Sequence, residues 1–195
     1  MTVWHHPKVH LRYLQRDDLP ATIRMLAKAG VTAQMFFGPN SEADTRGYFE
    51  PQLDRMEGDL AAGRTPQGPN FALVEPDTGA YMGNAALEPV PFAPGNWLLG
   101  YQLDEPFWRR GIGTLAAQFL VVHGFEVLGA RRLTADCFAT NLGSARILEK
   151  VGFVREGRQR SHYVKDGRWV DNLLFGMLRE DLADERRQAW RQLFT

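Results

Sequence analysis

From Val9 to Leu14 (VHLRYL) apolar and polar residues alternate, which predicts a strand. Asp17, Asp18 and Pro20 then supply the cap and first turn of a helix running through Ala29. After a turn at Gly38 to Asn40, Ser41 and Asp44 stand at capping-box spacing before a mostly polar helix toward Leu60, with interruptions expected near Gly47 and Pro51. Gly63 to Asn70 (GRTPQGPN) is a loop by composition. Two apolar runs, Asn70 to Glu75 and Ala80 to Leu87, flank the turn cluster Pro76 to Gly79 and predict a hairpin, with Trp97 to Leu103 beside it. Thr114 to Leu128 is apolar on nearly every side, as in a helix pressed onto a sheet. Arg131 to Phe138 alternates again, and Asn141 caps a short helix that Gly152 ends. Gln159 to Val164 and Arg168 to Met177 flank Asp166-Gly167, a hairpin signal, and Arg179 to Phe194 reads as a helical tail. This order predicts a mixed α/β fold in which one central βαβ crossover follows an antiparallel meander. There is no repeat or low-complexity tract, so residues 1–195 are expected to form a single domain.

Composition narrows the partners. With 44% hydrophobic and 24% charged residues the chain has the make-up of a soluble globular domain, which excludes a disordered or collagen-like chain. Twenty-three basic residues balance 23 acidic ones, so no global field draws the protein to nucleic acid or membrane, and direct binding to either is not expected. Any phosphate must be held locally. The lone Cys137 can form neither an intramolecular disulfide nor a zinc site, and it alternates with Leu133 and Ala135 as an inward strand residue. Met1 to His10 lacks a signal h-region and no apolar run approaches the ~18 residues of a membrane span, so the expected setting is cytoplasmic. His5, His6 and His10 have no acidic or cysteine partners at ligand spacing and read as surface histidines, so no metal is expected. His123 reads as packed, and His162 lies between Ser161 and Tyr163.

Chemistry concentrates in Gly100 to Ala117 (GYQLDEPFWRRGIGTLAA), where a strand passes through a basic, glycine-bearing turn into the long helix. Gly111 and Gly113 allow close backbone approach, the helix start offers free N–H groups and the positive end of its dipole, and Arg109, Arg110 and Thr114 add charge and a hydroxyl. A pyrophosphate fits such a turn. Gly111, Gly113 and Ala116 also match the dinucleotide fingerprint, with Asp136 near the ribose-binding position, but the chain after them is too short for a doubly wound sheet.

Four pieces in order, Leu11 to Asp17 (LRYLQRD), Gly100 to Thr114, Asn141 to Phe153 (NLGSARILEKVGF) and Gly167 to Asp171 (GRWVD), resemble the GNAT N-acetyltransferases, in particular the RimJ/RimL-like branch that acetylates ribosomal-protein N-termini. Trp108 stands where the family pattern has Gln or Arg. The resemblance implies a GNAT-like α/β fold: a mixed, largely antiparallel sheet with a central βαβ crossover and flanking helices. It implies acetyl-CoA as cosubstrate, its pyrophosphate on the N–H groups of Arg110, Gly111, Ile112, Gly113 and Thr114 beside Arg109, and its pantetheine along the strand edge at Gln102 and Leu103. Asn141 would contact the pantetheine arm and Ser144 would face the sulfur, though Asn141 also suits an N-cap and Ser144 a plain first-turn residue. Glu88, followed by Pro89 as in the RimL pattern, is the candidate to take the amine proton, against the alternative of a solvated strand-end carboxylate. The tyrosine that many members place on the short helix is replaced by Leu148, leaving Tyr163, Ser144 or solvent to protonate the departing thiolate. The implied activity is direct acetyl transfer to a primary amine, with a protein N-terminal α-amine first and a polyamine or aminoglycoside second. A non-catalytic acyl-CoA-binding module is the further alternative, and the chain is expected as a monomer or homodimer.

Overall fold

A computed structural model of the chain describes residues 3–194; Met1, Thr2 and Thr195, the first two being part of the stretch read above for a leader, lie outside it. Eight strands form one sheet in the order β1-β2-β3-β4-β5-β6-β8-β7. They are β1 (Val3–His6), β2 (Val9–Tyr13), β3 (Asn70–Val74), β4 (Tyr81–Pro89), β5 (Asn96–Leu103), β6 (Arg132–Phe138), β7 (Val154–Lys165) and β8 (Arg168–Leu178). Neighbours run antiparallel except β5 and β6, which the long helix α4 (Ile112–Val122) connects. A single parallel pair excludes the doubly wound dinucleotide fold.

The two faces of the sheet carry separate cores. Strand alternation sends Phe71, Ala85, Leu99, Leu133 and Phe175 to one face, where they bury α4 and α5 (Leu142–Val151). On the other face, around Ala72, pack α1 (Leu19–Leu26) and α3 (Glu42–Ala61) through Met25, Leu26, Phe49, Leu53 and Met56. A one-turn helix α2 (Ala29–Thr32) follows α1, and α6 (Asp184–Gln192) closes the chain through Trp190.

Several elements differ from the sequence reading. The first helix stops at Leu26 instead of running through Ala29. Helix α3 is continuous across Gly47 and Pro51. Proline costs about 3 kcal/mol inside a helix, but Pro51 faces solvent, and burial of Phe49, Leu53 and Met56 at roughly 1.5–3 kcal/mol each outweighs it. Its start is the capping box expected from Ser41 and Asp44: Ser41 Oγ accepts from Asp44 N at 3.1 Å, and Ser41 N donates to Asp44 Oδ2 at 3.0 Å. The three N-terminal histidines belong to the hairpin β1–β2, with His5 and His10 paired and the His6 ring against Phe194. The long helix leaves α geometry at His123, where a π-turn to Val127 sets Gly124 against Leu133. Strand β7 starts at Val154, five residues before the predicted run, and the helical tail is broken in two, a 3₁₀ turn at Arg179–Asp181 and then α6 from Asp184.

Candidate active site

Strands β5 and β6 are paired only at Asn96–Leu98 and Arg132–Thr134, yet β5 continues to Leu103 and β6 to Phe138. Beyond Leu98 the two splay apart, so β5 keeps only β4 as its ladder partner. Backbone N–H and C=O groups along that edge lack strand partners, which suits a peptide-like ligand laid in as an added strand. A cavity of about 660 Å³ passes through the gap.

At the open end of the splay lies the turn into α4. Gly111, its N-cap, has φ +84, a conformation that a Cβ would strain, and nothing lies within 4 Å of where that Cβ would stand. Gly113 is glycine for a different reason: a Cβ there would sit 3.0 Å from Ile147 Cδ1. The N–H groups of Ile112 and Gly113 precede any intrahelical acceptor and point with the helix dipole toward the cavity mouth. Trp108 closes the turn by donating its indole N–H to the Leu103 carbonyl at 2.8 Å, a bond that gives this departure from the family pattern a structural role. Arg109 lines the cavity, whereas the Arg110 side chain turns to the Phe107 ring and lies 3.6 Å from Glu75.

Alternation sorts the remaining side chains by face. On the α4 and α5 face stand Tyr101, Cys137, Asn141 and Ser144. Asn141 caps α5, its Oδ1 accepting from Ser144 N at 3.1 Å. Burial pushes the Tyr101 phenol well above its ordinary range; its oxygen has no partner in normal hydrogen-bond geometry, with the Ser144 hydroxyl the polar group beside it. Cys137 is half-buried, and burial, reinforced by Asp136, pushes its thiol up to about 11. A thiol so protonated is a poor nucleophile at neutral pH. Leu148, at the position of the missing tyrosine, is packed in the core.

On the α1 and α3 face stand Glu88, Gln102, Asp136, Asn172 and Tyr163. The Tyr48 hydroxyl of α3 donates to Glu88 Oε1 at 2.5 Å; burial first, and then the Glu88 carboxylate, push that phenol up to about 12. Tyr163 stacks on Phe36 with ring centroids 5.2 Å apart and donates to Asp136 Oδ2 at 3.4 Å. A bulge in β7 aims Tyr163 into the cavity, where the three residues between Gln159 and Tyr163 stand opposite one, Asp171, on β8. Asp171 pins that bulge by accepting from Ser161 N at 2.8 Å and Arg158 Nε at 2.6 Å.

Sequence reasoning missed Tyr101, Tyr48, Asn84 and the placement of Asp136. Strand alternation could have put Tyr101 on the α4 face, but nothing local marks the splay that exposes it. Gln102 Oε1 is also buried without a partner in the cavity wall. The opened edge, the αL glycine at the helix start and these orphaned polar atoms fit an acyl-CoA with its pyrophosphate at the turn and its pantetheine along β5. Among the described residues no cluster of three or more His, Cys, Asp and Glu could hold a metal ion, and no helix is long and apolar enough to cross a membrane.

Comparison with known proteins agrees with this geometry. The family model described as an acetyltransferase (GNAT) domain matches residues 8–154. The chain is similar to p20, an uncharacterised N-acetyltransferase of Bacillus licheniformis, at 23% identity over 94% of this chain and 99% of that one. Among solved structures, a ribosomal-protein-S5-alanine acetyltransferase from Vibrio fischeri superposes with TM-score 0.77 at 18% identity, covering 94% of this chain and all (100%) of that one. A spermidine N-acetyltransferase from Vibrio cholerae, solved with CoA and spermine, gives 0.75 at 16% identity over 89% of this chain and 97% of that one. With the family model spanning three quarters of the sequence, the chain belongs to the GNAT family of acetyl-CoA-dependent N-acetyltransferases.

Proposed function

We propose that the whole chain is one catalytic domain that acetylates the α-amine of a polypeptide N-terminus by direct attack in a ternary complex, as in the RimJ/RimL-like branch. The observation that carries this reading is the cavity passing through the sheet at the β5–β6 splay. It gives the donor access from the α4 face and the amine access from the α1 and α3 face. Arg109 and the N–H groups from Arg110 to Thr114 hold the pyrophosphate, while Gln102, Leu103 and Asn141 flank the pantetheine. N–H groups on the freed β5 edge polarise the thioester carbonyl.

Glu88 takes the amine proton through water. An α-amine, with an ordinary pKa near 7.7, is about a tenth neutral at pH 7, far more than a lysine with a pKa near 10.4. A single carboxylate base is therefore enough. Tyr163 is on the amine's side and bound to Asp136, so protonation of the departing sulfur falls to the opposite face. There Tyr101, kept protonated by burial, donates a hydrogen bond to the sulfur beside Ser144.

A second reading, a small polyamine acceptor, is supported by two carboxylates, Glu88 and Asp136, lining one cavity. CoA-thiol release measured across peptides of varied N-terminal residue, polyamines and aminoglycosides separates the two. Turnover of peptides is expected; release with polyamines alone selects the second reading, and release with no amine overturns both.

A further inference from the structure

The hydrogen bonds on the amine's side of the cavity all run one way. An ionised Glu88 can only accept, so the Tyr48 hydroxyl must donate to it. Gln52 stands one turn beyond Tyr48 on α3. Gln52 Oε1 then accepts from Asn70 Nδ2 at 3.2 Å, and Asn70 Oδ1 from Asn84 Nδ2 at 3.2 Å. Asn70 and Asn84 each spend their nitrogen on the next amide toward α3, and the chain ends at Asn84 Oδ1, buried, without a partner, in the wall of the same cavity. Asn84 is only 2% exposed, so water does not satisfy it freely. Asn172, across the splay, is arranged alike. Its Nδ2 donates to Asp136 Oδ2 at 2.9 Å and to Gln159 Oε1 at 3.3 Å, and its Oδ1 is left buried and unpaired. Both asparagines thus present only acceptors, and a buried acceptor is stabilised by a ligand that brings an N–H.

We propose that Asn84 is a specificity-determining residue whose Oδ1 accepts the N–H of the acceptor's first peptide bond, so that the enzyme selects an α-amine followed by a secondary amide. The assignment rests on the polypeptide reading above. Asn84 and Glu88 share one face of β4 four residues apart, about 13 Å between Cα atoms at about 3.3 Å per residue. A water, the amine and the next amide N–H span that length, whereas an isolated amine leaves one end unpaired.

A short peptide and its depsipeptide, with an ester oxygen in place of the first peptide N–H, test the assignment at about pH 9, where both α-amines are largely neutral. With the native enzyme the ester is expected to raise KM about tenfold or more and change kcat less than about threefold. Asn84→Leu is expected to bring the two substrates to the same KM. Because the comparison is made first on the unaltered chain, a variant that fails to fold does not spoil it. Equal kcat/KM for peptide and ester overturns this assignment alone. Turnover of spermidine with neither peptide nor ester accepted overturns the polypeptide reading and this assignment with it.

Discussion

Glu88 and Tyr101 line one cavity from opposite faces of the sheet, so their removal should leave different signatures. Glu88→Gln is expected to lower kcat by about 10- to 100-fold with the KM for acetyl-CoA within twofold, as for loss of a general base acting on the amine. Native rates across the whole pH range would remove Glu88 from the chemistry. Tyr101→Phe should cost about tenfold in kcat, most with poor amines, where sulfur departure weighs more. His123 makes a separate prediction about stability. Its ring is packed among Trp4, Phe71 and Phe119, and burial lowers its pKa from 6.5 to about 4. Above about pH 6.5 folded and unfolded chains both hold it neutral. Below that only the unfolded chain takes the proton, so stability falls by up to about 1.4 kcal/mol per pH unit until about pH 4. Unfolding free energies from urea titrations at about pH 7.5 and 4.5 should differ by roughly 2 kcal/mol more in the native protein than in His123→Phe.

At the scale of elements, the turn into α4 depends on three residues for three reasons. Gly111 supplies backbone at φ +84, Gly113 supplies space against Ile147, and Trp108 fastens the turn to the end of β5. Gly111→Ala should therefore destabilise the fold by roughly 1–2 kcal/mol through strain alone. Trp108→Phe keeps an aromatic ring but loses the bond to Leu103, worth about 1 kcal/mol. It is expected to weaken CoA binding about fivefold by calorimetry while leaving kcat at saturation nearly unchanged; unaltered affinity would show that the bond does not position the turn. Much of this was readable beforehand. A capping serine, an αL glycine and a basic pair before a long apolar helix are local signals, legible because turns and caps are decided by a few adjacent residues. The Trp108 bond was not, since an indole has many available acceptors and the sequence does not choose among them.

At the scale of the whole molecule, the proposed mechanism has donor and acceptor meet where two strands part, so that both must be present before transfer. Initial rates with both substrates varied should give intersecting lines, and Cys137→Ser should keep turnover within about threefold, because a thiol held near 11 supplies little thiolate. Parallel lines together with an inactive Cys137→Ser would point instead to an acyl-enzyme.

Periodicity by itself determined the order of strands β2 to β8 and the central crossover, because each is written in contiguous residues, but not the first strand or the one-turn helix α2. It misjudged α3, where a proline and a glycine read as breaks while Phe49, Leu53 and Met56 hold the helix to the core. Only the tertiary structure decided the splay of β5 from β6, the assignment of Tyr101 and Tyr163 to opposite faces, and the hydrogen bonds that link Asn84 through Asn70 to Gln52 and Tyr48 to Glu88. Those bonds draw on α3, β3 and β4, up to some forty residues apart in sequence, and hydrogen bonds between distant elements leave no periodic trace along a chain.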